Sequence, residues 1–146
     1  METLFQEFVT EHNTTAYAYK TKLNNGFFSM ISFYPISHKT YFVSFGVSNK
    51  KEALNNYVLG WDSKYTLYDE SSYTNGVQGL LWARKMICDF ICEVLPVGGS
   101  IVVFWSDKRR KNIYVKSLSK LGFGLCRRDG KMCLLYKKAR ECVLNE

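Results

Sequence analysis

Six residues, Ser100-Ile101-Val102-Val103-Phe104-Trp105, restrict the fold of this chain more than any others. After the serine every residue is apolar, and each is β-branched or aromatic. A strand with one wet face alternates polar and apolar residues. This run does not, so both of its faces must be covered and it belongs in the middle of a sheet. Just upstream, Pro96 and Gly98-Gly99 end the clearest helical pattern in the chain, Gly76 to Val94. Its apolar positions Leu80, Leu81, Ala83, Ile87, Cys88, Phe90, Ile91 and Val94 give a wide buried face. A core helix feeding a buried strand is the expected centre of the structure.

The flanking segments follow from shorter patterns. Leu4, Phe5, Phe8 and Val9, with Glu2, Glu7 and Glu11 between and around them, predict an amphipathic helix ending near His12-Asn13. From Ala16 to Lys20 and from Phe27 to Tyr34 the pattern is β-type, with Asn24-Asn25-Gly26 as the turn. Pro35 to Lys39 interrupts it, and Thr40 to Val47 resumes as a third strand of a meander. Glu52 to Leu59 is assigned to helix and Lys64 to Tyr68 looks extended. After the buried strand, Ser106 or Asp107 caps a helix from Lys108 to Leu121, and Gly122 stops it. Phe123 to Arg127 and Met132 to Tyr136 then form a hairpin about Asp129-Gly130. The expected class is α+β (mixed α/β), a single domain with a central, mostly antiparallel sheet flanked by helices.

At 146 residues the chain is long enough to bury a core without disulfides or metal. Its five cysteines include no Cys-x-x-Cys pair, so reduced thiols and no metal site are expected. Cys88 and Cys92 lie four apart on the core helix and share a face, which suits two metal ligands or a redox pair near His12 or His38, or else two buried thiols. No apolar run reaches the roughly 20 residues of a membrane span, and the first residues lack a basic signal region, so a cytoplasmic protein away from the membrane is expected. The net charge of +7 is unevenly placed. Residues 1–106 hold 8 Lys/Arg against 9 Asp/Glu, whereas residues 107–146 hold 12 against 4. Such asymmetry points to an anionic partner, whether nucleic acid, a phosphorylated cofactor or an acidic protein.

The stretch Ile101 to Lys137, above all Ser106-Asp107-Lys108-Arg109-Arg110-Lys111 leading to Gly122-Phe123 and the Asp129-Gly130 turn, resembles the second half of the GNAT superfamily of acyl-CoA-dependent N-acetyltransferases. The order of meander, core helix, buried strand, helix and hairpin resembles it too. The resemblance implies a GNAT-like domain that binds acetyl-CoA beside the core helix and presents its thioester to an amine acceptor. The family's pyrophosphate loop corresponds to Tyr73-Thr74-Asn75-Gly76-Val77-Gln78-Gly79, where Tyr73 replaces Arg/Gln and the glycines are spaced Gly-x-x-Gly. The resemblance assigns the cofactor to the backbone of Val77, Gln78 and Gly79, helped by Arg109 and Arg110. Many members protonate the departing thiolate with a tyrosine where this chain has Leu118. Tyr114, one turn earlier, is the candidate acid, and Glu70 or Asp69, ahead of the glycines, the candidate base.

Each of these features has a plainer reading. Four cations, Lys108 to Lys111, in the first turn of a helix oppose its dipole, so they mark either a bound anion or a solvated basic turn relieved by Asp107. Gly76 and Gly79 either admit a phosphate or ease entry into the helix. The tyrosines and lysines of Tyr17 to Lys22 and Tyr57 to Tyr68 suit base stacking or ordinary strand packing. The rival function is a non-catalytic protein that uses its basic C-terminal surface to contact nucleic acid or an acidic protein partner.

Overall fold

A computed structural model describes residues 5–22, 26, 28–48, 76–105 and 108–142. The protein is mixed α+β, with seven strands and two α-helices among the described residues. They are β1 (Gln6–Val9), β2 (Thr15–Lys22), β3 (Phe28–Ser37), β4 (Thr40–Ser48), α1 (Gly76–Glu93), β5 (Ser100–Val103), α2 (Lys108–Leu118), β6 (Gly124–Arg128) and β7 (Lys131–Lys137). The strands are hydrogen-bonded in the order β1-β2-β3-β4-β5-β7-β6. The described residues fall into two compact units, one within Met1–Tyr34 and Ser44–Met86, the other within Pro35–Val43 and Ile87–Glu146.

In the first unit the predicted N-terminal helix gives way to a strand. β1 pairs antiparallel with β2 from Gln6↔Ala18 to Val9↔Thr15. Phe5 is buried and packs edge-on to Phe33, with ring centres 5.5 Å apart. A helix would have turned Val9 inward, yet Val9 is 69% exposed. Ladder hydrogen bonds and the Phe5 anchor outweigh a local spacing that a single short helix, marginal by itself, cannot convert into stability. The turn to β2 is built by Thr10, whose Oγ1 accepts the N–H groups of His12 and Thr14 while its own N–H donates to Thr14 O at 2.8 Å. β2 buries Ala16 and Ala18 on alternate positions and pairs with β3 from Lys22↔Phe28 to Tyr17↔Phe33. Tyr19 stacks on Trp82 of α1. On that helix Ala83 and Met86 are buried, whereas Leu81, assigned above to the buried face, is exposed.

β3 runs through Pro35, where the sequence pattern predicts a break. Pro35 lies beyond Phe33, the last residue paired with β2, so its missing N–H costs no bond of that ladder. The chain turns instead at His38-Lys39, with Lys39 at φ 58°. The segments 52–59 and 64–68, assigned to helix and strand, lie outside the described residues, as do Asp69 and Glu70.

The second unit holds the buried strand. Ile101, Val102 and Val103 are all buried. β5 pairs parallel with β4, Thr40↔Ser100 to Phe42↔Val102, and antiparallel with β7, Ser100↔Lys137 to Val103↔Leu134. The mid-sheet position expected of a continuous apolar run is therefore met. Phe90 of α1 is buried and meets Tyr41 edge-on. α2 passes into a 3₁₀ turn, Ser119–Leu121, and stops at Gly122, whose φ of 101° suits a residue without Cβ. The β6–β7 hairpin turns at Asp129 (φ 51°) and Gly130 (φ 81°), the pair of left-handed residues that a two-residue connection of right-twisted strands requires.

The cysteines depart from the expectation of five reduced thiols. Cys92, at the exposed end of α1, is disulfide-bonded to Cys142, and their Cα atoms lie 5.5 Å apart. Fifty positions separate them, so no local spacing announces the bond. Cys88, Cys126 and Cys133 are not disulfide-bonded. Among the described residues no group of three or more His, Cys, Asp or Glu is arranged to hold a metal ion, and no helix is long and apolar enough to cross a membrane.

Candidate functional site

The parallel ladder between β4 and β5 stops at Phe42↔Val102, although the next residues, Val43 and Val103, are both still in strands. Past this point β5 keeps its antiparallel partner, β7, through Val103↔Leu134.

Continuing from β5, Phe104 and Trp105 are half-buried, and the Phe104 ring lies 6.1 Å from that of Phe42. Because β7 lies beside β5, this aromatic pair meets the tip of the β6–β7 hairpin. Together Phe104, Trp105, Arg128, Asp129, Lys131 and Met132 line a groove of about 610 Å³. That volume is in the range of small-molecule sites. The tip is held by Arg127, whose Nη1 donates to Gly130 O at 3.2 Å, and Arg128 Nη2 reaches Ser37 Oγ at 3.4 Å. Among the described residues neither Arg128 nor Lys131 is in an ion pair.

Behind the tip Cys126 and Cys133 face each other across the hairpin. Burial pushes the Cys133 thiol up from its ordinary value and Cys126 adds to the effect, against a smaller lowering by Arg128. The Cys133 sulfur is therefore a protonated, buried thiol at neutral pH and a poor nucleophile.

Most of the residues singled out in the sequence belong to the two helices. Val77, Gln78 and Gly79 form the first turn of α1, where backbone N–H groups have no partner within the helix. Arg109 and Arg110 are in the first turn of α2, which contains no acidic residue. Tyr114 is buried within α2 at 7% exposure, and Leu118, one turn on, is buried as well. Neither Tyr114 nor Leu118 is among the residues that line the groove. What the sequence reading missed is the pairing of Phe104 and Trp105 with Arg128, Lys131 and Met132. The Asp129-Gly130 turn was legible, but its neighbour depends on β7 inserting between β5 and β6, which no local pattern encodes.

No family model matches the chain, and no curated protein or solved structure is similar to it.

Proposed function

We propose that this protein binds an acyl-CoA thioester as a GNAT-like, N-acetyltransferase-type domain, with transfer to an amine acceptor as the associated chemistry. The observation that carries the reading is the parallel β4–β5 pair whose ladder ends at Phe42↔Val102. In this reading a backbone N–H at the end of the pair polarises the thioester carbonyl, and the rate comes from orientation and that hydrogen bond. The first turn of α1, at Val77, Gln78 and Gly79, independently suits a pyrophosphate, because its N–H groups and the helix dipole both favour anions.

Side-chain acid–base chemistry has less support. Leu118 cannot protonate a thiolate, and Tyr114 is buried, so it serves as the acid only if a bound ligand reaches its hydroxyl. Binding and transfer are therefore separable, and binding is tested first. Acetyl-CoA at 100 times its dissociation constant adds about 2.7 kcal/mol of stability, a rise of roughly 5–10 °C in Tm for a domain of this size. The rise is expected to shrink in the R109A/R110A double variant. An unchanged Tm at millimolar acetyl-CoA sets the reading aside.

A further inference from the structure

The groove at the hairpin tip joins two kinds of surface that one ligand rarely needs together. Phe104, Trp105 and Met132 give it an apolar, largely aromatic wall, and Arg128 and Lys131 supply two cations with no carboxylate partner among the described residues. An apolar ligand has no use for the cations. An acidic peptide has no use for the rings. A nucleotide uses both, stacking its base on an aromatic face while its phosphate meets the cations. The surroundings have the same sign, with 12 Lys/Arg against 4 Asp/Glu over residues 107–146.

We infer that this groove binds a nucleotide unit, with the base against Trp105 and Phe104 and the phosphate between Arg128 and Lys131. Asp129 is the apparent exception, a carboxylate at the rim of a cationic groove. It is exposed, and a carboxylate there accepts from an exocyclic amino group, the contact by which Asp and Glu read cytosine. Asp129 therefore sets a preference for amino-bearing bases. The inference does not rest on the acyl-CoA reading, because it draws on a different set of residues.

A nucleotide unit arises either within a single strand of RNA or DNA or as a free mononucleotide, and one titration series separates the two. Fluorescence anisotropy with labelled ten-nucleotide oligo-C and oligo-U is compared with competition by CMP and UMP, each at several salt concentrations. Oligo-C binding that falls steeply with salt, with CMP competing only weakly, assigns the groove to single strands. CMP competing as well as the oligonucleotide assigns it to free nucleotides. In both cases cytosine is preferred to uracil, and D129N, which keeps a residue tolerant of φ 51°, removes the preference. W105A weakens binding about 10- to 100-fold while W105F largely retains it, and K131A lowers the salt slope by about 1. The inference is overturned if neither ligand binds, if polyglutamate competes as well as the oligonucleotide, or if K131A and D129N, both exposed changes that leave the fold intact, alter nothing.

Discussion

The ammonium of Lys138 donates to the carbonyl oxygen of Leu95 at 2.7 Å, and to that of Ile91 at 2.6 Å, so a lysine 2% exposed closes the C-terminal end of α1. A cation is favoured there, because the last carbonyls of a helix carry the negative end of its dipole. Glu141 Oε1, 3.6 Å away, is the one carboxylate at this lysine among the described residues. The backbone of Lys138 joins in, with its N–H donating to Gly99 O and its C=O accepting from Gly98 N–H, each at 2.8 Å. Lys138→Ala leaves two buried carbonyls without donors and is expected to cost about 3–5 kcal/mol. Lys138→Arg, which keeps the charge but not the shape, is expected to cost less. Urea denaturation of both variants measures the difference.

The disulfide lies at the same end of α1. By closing about 50 residues between Cys92 and Cys142, it restricts the unfolded chain, an effect worth about 2–4 kcal/mol. Cys142→Ser, or addition of dithiothreitol, is expected to lower the urea midpoint by that amount, and the two treatments together should do no more than either alone. Mass spectrometry before and after alkylation checks that Cys92 and Cys142 are the protected pair.

Gly99 is where the loop after α1 approaches most closely. A Cβ there would lie 2.7 Å from Leu95 Cδ1 and 2.9 Å from Pro96 O. The leucine can shift, but the carbonyl belongs to the turn that Gly99 N–H itself closes at 2.8 Å. Gly99→Ala is therefore expected to cost about 1–3 kcal/mol. Gly124→Ala, where a Cβ meets nothing within 4 Å, is the matched control and should stay within about 0.5 kcal/mol of the parent.

Alkaline pH should weaken the fold through one buried and one half-buried acid. Burial raises Cys133 above its ordinary 9.0 and Tyr41 above its ordinary 10.0. Between those values and the raised ones, the folded protein keeps protons that the unfolded chain has released. Stability is thus fully present below the ordinary values and is lost as pH rises past them. Tyr41→Phe removes the phenol's share and should flatten the decline, as followed by denaturation midpoints from pH 8 to 11.

The parts of the fold that local chemistry determines were legible in the sequence. The Ile101–Val103 run has no polar position and lies buried mid-sheet, Asp129-Gly130 supplies the two left-handed residues of its hairpin, and Gly122 ends its helix. The errors fall where distant partners decide. Gln6–Val9 is a strand because β2 offers it a ladder, and Leu81 is exposed although its spacing placed it inside. Cys92 and Cys142 meet because Lys138 brings the tail back to α1. The groove had the weakest sequence signal, since Trp105 and Lys131 belong to segments that only strand order makes neighbours.

Acyl-CoA binding is the proposed function. The most direct test is to follow backbone amide resonances of ¹⁵N-labelled protein while acetyl-CoA is added. Binding is expected to give saturable shifts that include the amides of Val77, Gln78 and Gly79 in the first turn of α1, and Phe42 and Val43 at the end of the β4–β5 pairing. Resonances at those positions that stay fixed at millimolar acetyl-CoA would contradict it.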